Sequence, residues 1–153
     1  MDDVQKDLVR ATFARIAPIS DQAGELLYQR MFTIDPSLRA LFSIDAAQQG
    51  KKLMAVMAMA VANLHRLHEI VPAVRDLGRR HVAYGVKPAD YDTGGDALLW
   101  TLEQALGADF TPEIRAAWTA CYETLTGQMK DAAYGGGAQA DPAGHGGLAA
   151  AAD

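Results

Sequence analysis

The chain has 153 residues, of which 50% are hydrophobic and 22% are charged, and its formal net charge is −5. This balance fits one soluble globular domain and provides no basic surface for binding nucleic acid. The single cysteine, Cys121, excludes an internal disulfide and a zinc site that is built from several cysteines.

Apolar residues at helical spacing, divided by turn and capping signals, predict about seven helices: 3–17, 20–34, 36–41, 46–65, 69–84, 88–106 and 112–134. Pro18 ends the first helix, and Ser20 is the expected N-cap of the second. Pro36 opens the short third helix, and Asp45 with Gln48 three residues later resembles a capping box. Since no segment alternates like a strand, we expect an all-α domain.

The composition changes at residue 135. Glycine, alanine, aspartate and proline dominate residues 135–153, where Leu148 is the one large aliphatic side chain. Such a segment buries too little apolar surface to offset the entropy cost of ordering, so we expect it to be disordered. The predicted organisation is therefore a helical domain, residues 1–134, followed by a C-terminal tail, residues 135–153.

Two features bear on location. The acidic start, residues 1–3, lacks the order of basic and apolar segments that marks a signal peptide. The longest nearly apolar run, Leu53 to Leu64, has 12 residues, whereas a bilayer needs about 20. We therefore expect a cytoplasmic protein with neither a membrane nor a nucleic-acid partner.

Two small residue types inside predicted helices also carry information. Gly94 and Gly95 should each cost about 1 kcal/mol relative to alanine, unless close packing requires them. Cys121 follows Trp118 by one helical turn, which predicts a buried thiol that behaves as a small apolar residue.

Histidine commonly anchors a metal or cofactor between helices, and the chain has four. His145 falls in the predicted tail, while solvation of a helix end accounts for His65 and His68. His81 differs, because Leu77 places an apolar residue on the same helix face four positions earlier. A lone histidine on a half-buried face is usually structural, so His81 by itself leaves a ligand and a core residue as alternatives.

Further polar and aromatic residues occupy inward positions on other predicted helices. Tyr28 has apolar neighbours, and Gln49 points the same way as Leu53, four residues later. Lys52 leans towards solvent, and Phe42 ends the short helix, where its ring could lie flat on a planar ligand. Core packing explains each residue separately, but a buried phenol and a buried amide on different helices favour a binding site.

The run from Leu77 to Pro88, which contains His81, resembles the proximal-histidine segment of globins. It is most similar to neuroglobins, single-domain bacterial haemoglobins and the globin half of flavohaemoglobins. Other segments in the family's order extend the resemblance over about residues 4–134: 27–32, 35–36, 41–42, 49, 52–54, 97–102 and 106–118. The resemblance implies a three-over-three globin fold with haem b as the cofactor.

The resemblance also implies a set of cofactor-binding residues: Phe42, Gln49, Lys52, Leu53, Leu77, His81, Val86 and Tyr91. Within it, His81 would be the axial iron ligand, Phe42 would pack on the haem face and Lys52 would pair with a haem propionate. Tyr91 matches the tyrosine that flavohaemoglobins join to the proximal histidine and a glutamate.

On the gas-binding side, the resemblance makes Tyr28 and Gln49 the hydrogen-bond donors and Leu53 the apolar wall. Each donor would stabilise bound dioxygen by about 1–2 kcal/mol in a dry site. Together they would raise oxygen affinity by about 30- to 1,000-fold, at about 1.4 kcal/mol per tenfold. Carbon monoxide, which takes less charge from iron, would gain less.

Two positions depart from the family's pattern. Neuroglobins have an iron-binding histidine where this chain has Gln49, so ligation of iron by two histidines is not expected. The glutamate of the flavohaemoglobin triad falls at Gly135, which removes one source of electron donation to His81.

The function that follows is reversible binding of dioxygen, with nitric oxide and carbon monoxide as further diatomic ligands. Three alternatives stay open: a nitric oxide dioxygenase that makes nitrate with a separate NAD(P)H-dependent reductase, a haem-based redox or gas sensor, and a helical domain without haem. Sustained turnover with a reductase would distinguish the enzyme from the carrier.

Overall fold

The computed structural model of the protein describes residues 1–135, and this part of the chain is helical throughout. Six α-helices, numbered in chain order, are Asp3–Ile16 (α1), Ser20–Ile34 (α2), Ala46–Ala62 (α3), Leu67–Ala83 (α4), Pro88–Leu106 (α5) and Pro112–Tyr134 (α6). Short 3-10 helices lie at Ala17–Ile19, Pro36–Leu41, Leu64–Arg66 and Gly107–Asp109. The all-α prediction is confirmed, whereas the predicted disorder of the tail concerns residues 136–153, outside the described part.

Side-chain caps fix several helix starts as the sequence predicts. The carboxylate of Asp45 accepts a hydrogen bond from the backbone N–H of Gln48 at 2.9 Å at the start of α3. Thr111 caps α6 in the same way, and Pro112 follows as its first helical residue. The predicted short helix is a 3-10 helix, which begins at Pro36.

Ser20 is not an N-cap, contrary to the prediction. The chain stays helical after Pro18, because a proline near the start of a helical turn removes no needed donor. Ser20 therefore has helical dihedrals (φ −60°, ψ −36°) and is the first residue of α2, with Ile19 before it. A capping side chain requires extended backbone, which Ser20 does not have.

The predicted boundary between the fourth and fifth helices is also displaced. At Asn63 the backbone leaves helical geometry (φ −109°, ψ 16°), and its side-chain amide donates to the Met59 carbonyl at 2.8 Å. Helix α3 therefore ends at Ala62 rather than near His65, and α4 starts at Leu67. Asparagine is a common helix terminator, so the sequence contains this signal.

Close backbone contacts hold the helices around the centre of the molecule. Gly24 of α2 faces Gly50 of α3, and a Cβ at Gly24 would lie 2.5 Å from the Gly50 carbonyl oxygen. A Cβ at Gly78 of α4 would likewise collide with the backbone of Met129 in α6. Because Gly78 is one turn before His81, this second contact positions His81 relative to α6.

We expect Gly24→Ala to lower the free energy of unfolding. The added methyl group meets backbone that cannot move aside, and overpacking of this kind costs about 1–3 kcal/mol. Gly127→Ala is the matched control, since no atom lies within 4 Å of a Cβ there, and it should stabilise α6 by about 0.5–1 kcal/mol. Urea unfolding measures both, and equal stabilities of the two variants would contradict the close crossing of α2 and α3.

The core joins α1 to α6. Trp118 is 1% exposed, and its indole N–H donates to the Thr12 hydroxyl at 2.9 Å. Cys121 is 3% exposed, as predicted, and burial raises the pKa of its thiol to about 12. Within residues 1–135, no helix combines the length and apolar character that crossing a bilayer requires.

The buried thiol predicts a loss of stability at alkaline pH. In the unfolded chain Cys121 ionises near its ordinary pKa of 9.0, whereas the folded protein holds the proton until about pH 12. Deprotonation therefore favours unfolding as pH rises through this range, by about 1 kcal/mol between pH 8 and pH 10. Cys121→Ala should show a smaller decrease over the same interval in urea unfolding, and parallel pH profiles would contradict the assignment.

Candidate cofactor site

A large apolar cleft opens between the helices, on the side where α2 and α3 face α4, α5 and α6. It encloses about 1060 Å³, a volume that includes the space at its open mouth. Seven of the nine site residues predicted from the sequence line this cleft: Tyr28, Phe42, Leu53, Leu77, His81, Val86 and Tyr91.

His81 supplies the imidazole in the wall, near the end of α4. Its Nδ1 lies 2.7 Å from the backbone carbonyl oxygen of Leu77, one turn earlier. A carbonyl oxygen only accepts hydrogen bonds, so Nδ1 carries the proton and Nε2 of the neutral ring keeps its lone pair. This arrangement fixes both the tautomer and the ring orientation of a metal-binding histidine.

Aromatic side chains surround His81. The Tyr91 ring lies 6.2 Å from the His81 ring, centre to centre, at an interplanar angle of 22°. The Tyr91 carbonyl oxygen accepts a hydrogen bond from the Tyr122 hydroxyl at 2.6 Å. Burial, followed by the charges of two neighbouring aspartates, raises the pKa of Tyr122, so the phenol stays protonated and can donate at physiological pH.

The two glycines of α5 are explained by this contact. A Cβ at Gly94 would lie 2.7 Å from the Tyr122 hydroxyl oxygen, and one at Gly95 would lie 2.9 Å from the edge of the same ring. Close packing against Tyr122 therefore requires both glycines. This requirement explains why α5 contains two residues that each lower helix stability relative to alanine.

Tyr28, which also lines the cleft, is 2% exposed. Its ring meets Phe42 edge-on at 5.4 Å between centres, and Phe32 completes the cluster. Leu53 of α3 lines the same side of the cleft. The phenol of Tyr28 and the imidazole of His81 thus line the same cleft.

Gln49 and Lys52 are the two predicted site residues that do not line the cleft. Gln49 is 0% exposed and precedes Gly50, where α3 crosses α2. Lys52 is exposed to solvent, on the side towards which the sequence places it. The burial of the Gln49 amide agrees with its inward position, but its role as a donor stays a prediction.

Sequence reasoning missed several residues of the wall. Helix α6 contributes one face, whose three- and four-residue spacing the sequence shows without indicating a site: Tyr122, Leu125, Thr126 and Met129. Asp90 also lines the cleft, at the start of α5. No local pattern identifies Asp90 as a site residue, because only the packing of α5 brings this residue to the cleft.

These residues fit a flat apolar cofactor that carries its own metal. A single oriented imidazole supplies one ligand, which suffices when a macrocycle such as a porphyrin provides the equatorial ligands. The aliphatic and aromatic walls suit the rest of such a molecule, whereas a free metal ion would need several protein ligands.

Comparison with known proteins identifies the family of the chain. The globin family model matches residues 25–129. A neuroglobin of Tetraodon nigroviridis is 30% identical over 138 residues, covering 81% of this chain and 87% of the relative. A neuroglobin of Danio rerio is 28% identical over 143 residues, covering 84% and 90%. A flavohemoprotein of Rhizobium meliloti (strain 1021) is 32% identical over 128 residues, covering 78% of this chain but 30% of that protein.

The match with the family model spans α3, α4 and α5 completely and contains every residue of the cleft wall. Together with the relatives, it confirms the resemblance that the sequence carries. Membership of this family implies haem as the cofactor and binding of a diatomic gas. The chain belongs to the globin family.

Proposed function

We propose that the protein binds dioxygen reversibly on the iron of haem b, with His81 as the axial protein ligand. The observation that carries this proposal is the His81 imidazole, whose Nδ1 is held by the Leu77 carbonyl at 2.7 Å in the wall of an apolar cleft. When bound, haem would supply the iron that takes up a diatomic gas.

The chain's own residues orient the cofactor and exclude water. Phe42 would pack against the haem, and Leu77, Val86 and Tyr91 would enclose it together with His81, since all of them line the cleft. Lys52, exposed at the start of α3, pairs with a propionate in this proposal. The apolar walls keep water from the gas site, which strengthens the hydrogen bonds made there.

Tyr28 and Gln49 are the proposed donors on the gas side, and Leu53 is the apolar wall beside them. The phenol of Tyr28 lines the cleft and is shielded from bulk solvent. Bound dioxygen accumulates negative charge, so an O–H or N–H group directed at it favours dioxygen over carbon monoxide.

Absorption spectra of the purified protein test the proposal directly. Protein produced with ample porphyrin should show a Soret band in the ferric, ferrous and ferrous carbon monoxide forms. A reversible spectral change between the ferrous protein under argon and under air supports the carrier function. Colourless protein would overturn the proposal.

A second candidate is nitric oxide dioxygenase activity with a separate reductase. The 32% identity to a flavohemoprotein favours it, since that name joins a flavin to a haem in one protein. Conversion of nitric oxide to nitrate consumes the bound dioxygen and leaves ferric iron, so each turnover needs one electron. Sustained nitric oxide consumption with NADH and a flavin reductase would support the enzyme, and one equivalent per haem would support the carrier.

A further inference from the structure

Asp90 is the one carboxylate among the described residues that line the cleft. It lies in the first turn of α5, where its Oδ2 accepts a hydrogen bond from the backbone N–H of Lys87 at 2.8 Å. This capping bond holds the carboxylate in one orientation. The half-buried Asp90 is therefore the one acidic residue in a wall whose other described residues are mostly apolar.

Neighbouring residues of the cleft wall connect Asp90 with His81. Tyr91, the next residue, stacks near His81, and the backbone N–H of Val86 donates to the His81 carbonyl at 3.1 Å. The hydroxyl of Tyr134 donates to the Val86 carbonyl at 2.5 Å. Burial and then the charge of Asp90 raise the pKa of the Tyr134 phenol, so the field of Asp90 reaches this cluster.

We propose that Asp90 lowers the reduction potential of the haem iron by placing its carboxylate charge in the cleft wall beside His81. The proposal rests on the proposed function, because it requires haem on His81. A neighbouring negative charge favours ferric iron over the less positive ferrous iron, and solvent screens a half-buried charge less than an exposed one. The carboxylate acts through space from α5. It differs in this from the glutamate of the flavohaemoglobin triad, whose position is taken by Gly135 in this chain.

Redox titration of the haem-loaded protein measures this effect, with three variants beside the wild type. Asp90→Asn removes the charge and keeps an acceptor for the Lys87 N–H, and Asp90→Ser removes the charge with a second capping side chain. Glu103→Gln is the matched control, since it removes the same charge from an exposed position further along the same helix, α5.

We expect both neutral Asp90 variants to raise the equilibrium constant for reduction about tenfold, which is about 59 mV for one electron. The control should change it by less than about threefold, because solvent screens an exposed charge. Equal changes at Asp90 and Glu103, or none at Asp90, would overturn the role of Asp90. Because there are two neutral variants, the potential can still be compared if one of them fails to fold.

The same samples separate this inference from the proposed function. Wild-type protein without a Soret band would show that haem binding itself fails, and the role of Asp90 with it. Coloured variants whose potentials equal the wild-type value would remove only the role of Asp90. Asp90→Glu, which keeps the charge, should retain a potential close to that of the wild type.

Discussion

Replacing His81 by alanine is expected to lower haem affinity by more than about a hundredfold. Loss of a hydrogen-bond partner behind a metal ligand typically costs 10- to 100-fold in affinity, so loss of the ligand itself should cost more. His81 lines the cleft, and its bond to the Leu77 carbonyl presets the imidazole for binding. The measurement is the Soret absorbance per protein after gel filtration, compared with wild-type protein prepared in parallel.

His68→Ala is the matched control, because His68 lies exposed on the same helix, α4. It should retain haem like the wild type. Added imidazole should restore part of the Soret band to the His81→Ala protein by occupying the space left beside Leu77. An unchanged Soret band in His81→Ala without imidazole would reject His81 as the axial ligand.

The second large effect is expected for Tyr28→Phe, which should increase the dissociation rate of dioxygen about 5- to 30-fold. This range corresponds to the loss of a hydrogen bond of about 1–2 kcal/mol in a water-excluding site. The substitution keeps the ring that packs against Phe42 and removes only the hydroxyl. Stopped-flow mixing of the oxygenated protein with carbon monoxide or dithionite gives the rate.

Carbon monoxide provides the internal control for Tyr28→Phe, since its dissociation rate should change much less. Gln49→Leu tests the second donor, and the double variant shows whether the two act together. A dioxygen dissociation rate within twofold of the wild type in Tyr28→Phe would reject the phenol as a donor. If the dissociation rate of dioxygen changes only when Tyr28 is replaced, Gln49 is not a donor and serves only at the crossing of α2 and α3.

Local signals explain why so much of the fold is readable from the sequence. Apolar spacing and the caps at Asp45 and Thr111 specify helices through contacts within a few residues, and the structure has helices there. Ser20 shows the limit of this reasoning, since its role depends on whether the chain stays helical through Pro18. A difference of one turn in backbone geometry changes a cap into a helical residue.

The candidate site divides in the same way. Helical spacing places Leu77 and His81 on one face, and the resemblance to globins names the residues that the cleft gathers from separate helices. The spacing does not show the hydrogen bond that orients His81, nor the position of Gln49 outside the wall. The position of Gln49 depends on how α3 packs against its neighbours, whereas the hydrogen bond of His81 lies within α4 and depends on the rotamer of the imidazole.

The sequence by itself thus determined the all-α class, most helix bounds and the histidine on which the proposed chemistry depends, because periodicity and family motifs are properties of short segments. Only the tertiary structure shows that Gly94 and Gly95 make room for Tyr122. It alone also shows that Asp90 lines the cleft. These are contacts between residues far apart in the chain, or consequences of how a whole helix is packed. No local pattern encodes them, since they arise only when the helices come together.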